Sequence, residues 1–266
     1  MTDRKFSVKL DIGTWAASLG LLIQKGLHFG SYIDIGCADG YFGLAFWRGG
    51  LFRHTSIINI DANPVYEPSL RKIRDAIGGD YRICAVDDRD GTIDLHTSVH
   101  PYWASAAAPE DPYWNAIYGQ MGGKVTVPCR RLDSIVEELA PKPPYAIKLD
   151  VQGLEARVLR SGPRTLASTA AVVCEVLVHN FREINTELEK AGFELHDLTD
   201  SSRTPEHALG WFYATYLHRD YAAFGTSQHW LETDNEAIIA QQHRRREDLL
   251  ARIDAMVSRI KSEGGQ

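Results

Sequence analysis

The sequence has no run approaching the ~18 consecutive apolar residues that a membrane span needs, so no spanning helix is expected. Its opening residues, MTDRKFSVKLDIG, hold neither the apolar stretch nor the small-residue cleavage site of a secretion signal. Cysteine is sparse: Cys37, Cys84, Cys129 and Cys174 stand far apart without a C-x-x-C pair. That spacing argues against a disulfide framework or a structural zinc site, and for reduced, buried thiols in a cytoplasmic protein. Basic excess is missing too. With 29 Lys and Arg against 35 Asp and Glu, the net charge is −6, and nucleic acid is not an expected partner. The one dense basic run, His243-Arg244-Arg245-Arg246, is bracketed by acids on an expected helix and reads as a solvated face. Internal repeats and low-complexity segments are absent.

What is present is alternation. Short β-branched runs at 31–35, 55–61, 80–86, 145–150, 171–178, 192–198 and 211–217 read as strands. Helices fit between them over 41–49, 64–77, 132–140, 153–167 and 181–191. This is the pattern of a doubly wound α/β domain, spanning 30–219. A helical segment within 1–29 places Ile12, Trp15, Leu19, Leu22 and Ile23 for core packing. Between the third and fourth main strands lies a hairpin arm at Thr92–His96, an insertion over 98–123 and a strand at Lys124–Cys129. The insertion is too long for a plain connection, which marks it as functional or mobile. The extension 220–266 holds a helix over 235–262 whose stripe, Leu250, Ile253, Val257 and Ile260, suits either its own domain or a homodimer contact.

Residues 31–43, SYIDIGCADGYFG, read as strand, glycine turn and helix. The dinucleotide fingerprint G-x-G-x-x-G fails, because the third position is Ala38 and the sixth is Tyr41. Read as G-x-[GA]-x-G, the turn uses Gly36, Ala38 and Gly40 and leaves room for the methionine part of S-adenosylmethionine. Asp34 can then hold that cofactor's ammonium group, directly or through water. Asp61 ends the second strand, where a carboxylate accepts from both ribose hydroxyls. Asp87 ends the third, within reach of an adenine amino group. Any one of these acids could merely cap a helix; three at successive strand ends point to a bound nucleoside.

These stretches resemble the FkbM family of S-adenosylmethionine-dependent methyltransferases. The resemblance rests on YIDIGCADGYFG, NIDANP, AVDDRDGTIDL, VPCRRLDSI and above all IKLDVQGLEARVLRSG, where Lys148, Asp150, Gly153 and Glu155 hold the family's K-x-D-x-x-G-x-E spacing. It departs at Asp39, where the family usually has Asn. It covers residues from about 30 to 180 and implies a class I methyltransferase (Rossmann-like) fold. That fold is α/β, a seven-stranded, mostly parallel sheet with helices on both faces, here with N- and C-terminal helical extensions. Its last strand runs antiparallel, with 192–198 and 211–217 as the final pair. The implied acceptor is a hydroxyl on a saccharide, a glycan or a secondary metabolite.

Methyl transfer from a sulfonium is an in-line displacement, so the protein must position the nucleophile and exclude water. A hydroxyl acceptor also needs a base. Asp150, ending the fourth strand, leads the candidates, with Lys148 on its face two residues back. Glu175 interrupts the apolar run AVVCEVLV and is expected to pair with Lys148, as a structural pair or in proton transfer. His179, just past the fifth strand beside Asn180, is either a neutral-pH base or a helix-end histidine. A magnesium ion between Asp150, Glu175 and His179 is an alternative chemistry. The insertion, with His100, Tyr102, Trp103, Tyr113, Trp114 and Tyr118, reads as a substrate wall and lid suited to sugar or planar rings. Two further readings stay open: a nicotinamide-dependent oxidoreductase, and a catalytically inactive cofactor-binding protein that acts in assembly.

Overall fold

Seven strands form the central sheet of the computed structural model, which describes residues 11, 13–98, 104–106, 121–204, 207–225, 240, 243–248 and 250–251. The amino-terminal half runs α1 (Trp15–Gln24), β1 (Ser31–Ile35), α2 (Tyr41–Arg48), β2 (Ser56–Asp61), α3 (Glu67–Ile77) and β3 (Asp80–Ile83). A small sheet follows, from β4 (Ala85–Val86), β5 (Gly91–Ser98), β6 (Ala104–Ser105) and β7 (Met121–Arg130). The chain then returns through α4 (Leu132–Leu139), β8 (Tyr145–Leu149), α5 (Glu155–Arg160), α6 (Pro163–Leu166), β9 (Thr169–Leu177) and α7 (Phe181–Lys190). It closes with β10 (Phe193–Arg203), β11 (Leu209–His218) and the short α8 (Ala222–Gly225).

The strand order is β10-β11-β9-β8-β1-β2-β3. β1 pairs parallel with β2 and β8, and β8 with β9, while β11 runs antiparallel between β9 and β10. The expected seven strands and final antiparallel pair are therefore present, in a mixed sheet. The order reverses between β1 and β8, which opens a crevice at the carboxyl ends of those strands.

Both faces are covered, which is why β8 and β9 are apolar almost throughout. One face packs Ile33, Ile35, Ile147, Leu149 and Val172 against Leu132, Val158, Leu159, Ile184 and Leu188 from α4, α5 and α7. The other packs Tyr32, Ala146 and Val173 against Trp15, Leu19, Leu22 and Ile23 of α1 and Phe46 of α2. The amino-terminal helix thus serves the core as its periodicity predicts, with Ile12 outside the described residues. All four cysteines are free and buried. Among the described residues no helix is long and apolar enough to cross a membrane.

Two elements differ from expectation. The strand anticipated over 80–86 divides at Cys84, because β3 is the edge of the main sheet and its continuation, β4, pairs instead with Cys129 and Arg130 of β7. The helix anticipated over 153–167 breaks at Ser161-Gly162-Pro163, since proline lacks an N–H and its ring bars the preceding turn. The chain separates into two compact units, Met1–Gly225 and Thr226–Gln266. In the second, residues 240, 243–248 and 250–251 are helical and Leu250 is exposed. Ile253, Val257 and Ile260 of the expected stripe lie outside the described residues.

Phe52 anchors the face beneath β1: it is 1% exposed, stacks on Tyr32 with ring centroids 4.7 Å apart and meets Phe46 edge-on. Phe52→Ala is expected to cost about 3–5 kcal/mol of stability in urea unfolding, through lost transfer energy and the cavity left behind.

Candidate active site

A cavity of about 530 Å³ occupies the crevice between β1 and β8. The turn after β1 forms one wall. Gly36 sits at φ +77°, and a Cβ there would collide with the backbone carbonyl of Asp150, so the two strand ends approach as only glycine allows. Ala38 also takes a left-handed conformation, φ +49°, which turns its N–H toward Asp61. The Asp61 carboxylate accepts from Ala38 N–H and Asn63 N–H, each at 2.8 Å. Burial pushes Asp61 up to about 6, although both backbone bonds oppose that rise.

Sheet register assembles the floor. Asp34 of β1 lies directly across from Lys148 of β8, at 3.7 Å, and is 0% exposed. Tyr32 donates its hydroxyl to Asp34 at 3.2 Å. Lys148 donates to Asp150 at 3.1 Å and is 1% exposed. Its ammonium lies 5.9 Å from the Trp15 ring centroid and 5.7 Å from those of Phe42 and Tyr213. Burial alone would lower the Lys148 pKa, but Asp150 and Asp34 outweigh it and hold the ammonium above the usual lysine range.

Asp150 lines the cavity together with Lys148. Tyr213 donates to it at 2.7 Å, and the Gln152 amide donates to both Asp150, at 2.7 Å, and Glu175, at 2.9 Å. Burial would raise Asp150; Lys148 and the bonds from its neighbours hold it below the usual carboxylate range. Burial and then the Asp150 charge push Glu175 well above that range. Asp150 and Glu175 are therefore shifted in opposite directions, the first toward its ionised form and the second toward its protonated form.

Glu155 builds the loop that carries Gln152. One of its oxygens accepts from Val151 N–H and Gly153 N–H, each at 3.1 Å, and the other accepts from Asn180 at 3.1 Å. Gln152 is held between them at φ +57°, a conformation unusual for a side chain of its size. Its carbonyl accepts from Ser105 of β6 at 3.0 Å, so the small sheet is tied to the same loop.

Of the residues anticipated from sequence, Gly36, Ala38, Asp61, Lys148, Asp150 and Glu175 all line the cavity. Gly40, also at positive φ, caps α2 and packs on Leu70 and Ile73. The anticipated Lys148–Glu175 pair is replaced by Lys148 with Asp34 and Asp150, because register sets Lys148 beside Val173 and leaves Glu175 beyond its level. Asp34 is sealed behind Lys148, away from the lining. Asp87 is buried against Arg157 at 2.6 Å and is likewise no part of the lining. His179 is exposed on the turn after β9, away from the lining. His100, Tyr102, Trp103 and Trp114, with Tyr113 and Tyr118, lie outside the described residues. Asp150 and Glu175 share the Gln152 amide, and His179 does not line the cavity with them. Among the described residues no group of three or more His, Cys, Asp or Glu could hold a metal. Sequence reasoning missed Gln152, Tyr213 and the wall made by Trp15 and Phe42. Only Gln152 carried a signal, its place between two motif residues.

Residues 34–195 match the Methyltransferase FkbM domain family. No curated protein matches the sequence. Among solved structures the chain resembles methyltransferase FkbM from Methylobacillus flagellatus KT at 14% identity and a TM-score of 0.45, covering 73% of this chain and 45% of that one. The present chain thus spans less than half of that protein. It also resembles precorrin-6y C5,15-methyltransferase from Geobacter metallireducens GS-15, at 12% identity and TM-score 0.42, covering 80% of this chain and 92% of that one. Aeropyrum pernix fibrillarin, solved with natively bound S-adenosyl-L-methionine, is 12% identical with a TM-score of 0.40, covering 74% of each chain.

Burial raises the pKa of Glu155 from 4.5 to about 7. Between those values the folded state binds the extra proton, so stability falls as pH rises through the window and levels off above it. Glu155→Gln should remove that slope. The unfolding free energy lost between pH 5 and pH 8 is expected to shrink by roughly 3 kcal/mol relative to wild type, read by urea titration at each pH.

Proposed function

Because this chain belongs to the FkbM methyltransferase family, shown by its match over residues 34–195, we propose that it methylates a hydroxyl of a saccharide or secondary metabolite using S-adenosylmethionine. The observation that carries the reading is one cavity with a glycine turn and Asp61 on one side and Asp150, held by Lys148, Tyr213 and Gln152, on another. The residues fit the cofactor. The turn at Gly36 has no room for a side chain, and each Asp61 oxygen spends one lone pair on a backbone N–H and keeps another for a ribose hydroxyl. The volume lies within the ~300–1,000 Å³ of ligand pockets.

When bound, S-adenosylmethionine supplies the activated methyl group. The chain's own residues do the rest. An acceptor hydroxyl seated against Asp150 donates its hydrogen bond there, which orients an oxygen lone pair away from the carboxylate. Lys148, Tyr213 and Gln152 hold that carboxylate in one orientation. As the hydroxyl oxygen forms its new bond, its proton passes to Asp150. Tyr41 and Phe42 line the cavity while remaining partly exposed, giving an apolar rim for the body of an acceptor. The stretch 98–123 contributes neither lysine nor arginine, which favours an uncharged acceptor over a phosphorylated one.

Calorimetry with S-adenosylhomocysteine and NAD tests the cofactor. Micromolar binding of the former is expected, weakened tenfold or more by Asp61→Ala; binding of NAD in its place would overturn the reading. With a labelled methyl donor and a panel of hydroxylated acceptors, Asp150→Asn is expected to lower kcat about 100-fold or more and to leave S-adenosylhomocysteine affinity unchanged. Cofactor binding without transfer to any acceptor would favour the assembly reading instead.

A further inference from the structure

Two carboxyl side chains line the cavity from neighbouring strands. β8 and β9 run parallel with Leu149 paired to Cys174, so Asp150 and Glu175 are the next residues on each, about 5 Å apart at the spacing of adjacent strands. The Gln152 amide nitrogen donates to both, at 2.7 Å and 2.9 Å, which sets the two carboxyl groups side by side around one atom. Both keep part of their surface open, the Asp150 side chain at 18% exposure and Glu175 half-buried, whereas Lys148 is 1% exposed. Their settings differ. Asp150 accepts from Lys148 and Tyr213 besides Gln152, while the Lys148 ammonium is shared between Asp34 and Asp150 and not with Glu175. A single hydroxyl seated on Asp150 leaves the second carboxyl facing the ligand, and a polar group left unmatched in a dehydrated site costs binding energy.

We propose that the acceptor presents two neighbouring hydroxyls, that Asp150 takes the one to be methylated, and that Glu175 holds the other and so determines specificity. The inference rests on the methyl-transfer reading above and deepens it, naming the acceptor as a vicinal diol. The unlike settings assign the roles. Asp150, drawn toward its ionised form, is an acceptor only. Glu175, shifted the other way, can accept through its carbonyl oxygen and donate through its O–H, which matches a hydroxyl that stays a hydroxyl. The oxygen on Asp150 gains the methyl as the carbon–sulfur bond breaks, and its proton goes to Asp150; the neighbouring hydroxyl keeps its own. That neighbour must then be unsubstituted at the time of transfer, so any reaction that glycosylates, acylates or alkylates it comes afterwards.

Initial rates of the full-length protein with a labelled methyl donor test this on matched acceptors. The pairs are methyl glycosides of glucose, galactose, mannose and rhamnose beside their monodeoxy analogues, trans-1,2-cyclohexanediol beside cyclohexanol, and catechol beside phenol. Within an active pair, removing the neighbouring hydroxyl is expected to lower kcat/KM about tenfold or more. In Glu175→Ala that ratio should shrink to about threefold or less, and Glu175→Gln, which keeps an oxygen for both partners, should restore most of it. A Glu175 that merely supported Gln152 would slow both members of a pair alike and leave the ratio as it is in wild type. A ratio near one in wild type, or a ratio intact in Glu175→Ala, would overturn the inference and leave the methyl-transfer reading standing. No transfer to any of these acceptors would overturn both.

Discussion

A lysine ammonium held out of water governs the arrangement of the site. Lys148 is 1% exposed in the middle of a parallel sheet, and removing such a charge from solvent is tolerated only when partners replace the water. Two carboxylates and three aromatic faces do so. The requirement reaches far along the chain, since the rings come from α1, α2 and β11 and the acids from β1 and the end of β8. The ammonium also holds Asp150 below the usual carboxylate range against the effect of burial, while burial and then the Asp150 charge push Glu175 above that range.

The second constraint is the loop after β8. Glu155 is buried at 1% exposure and uses one oxygen to gather the Val151 and Gly153 N–H groups, which holds Gln152 in a left-handed conformation. Strain of this kind persists only where the surroundings over-determine it. Here the return is a single amide nitrogen placed between Asp150 and Glu175, and a carbonyl offered to Ser105 of the small sheet. The spacing K-x-D-x-x-G-x-E therefore has a physical meaning. Lysine neutralises, aspartate faces the cavity, glycine permits the turn at φ +101°, and glutamate fastens it.

Much of this was legible beforehand. Strand β1 has the limits its apolar run suggests, and β8 and β9 announce themselves because burial on both faces removes polar residues from whole strands. The glycine turn, Asp61 and the Asp150 motif were readable because each depends on local chain geometry: a left-handed φ, a strand tip, a fixed spacing. For Asp34 the strand-end signal did not show that Lys148 lies across from it. Nor did it show the partner of Asp87, since Arg157 is seventy positions away along the chain. Trp15 carried the pattern of a core residue and is one, yet its ring also walls the Lys148 ammonium.

By itself the sequence determined the alternation of strands and helices, the turn that only glycine can make, and which acids stand at strand ends. Those features are local, written in periodicities of two and 3.6 residues and in backbone conformations that few side chains permit. Tertiary structure alone decided which acids line the cavity and which lie buried against a cation, and in which direction each carboxyl is shifted. Those outcomes depend on sheet register and on burial among residues distant in the chain, because the energy of a charge is set by everything packed around it.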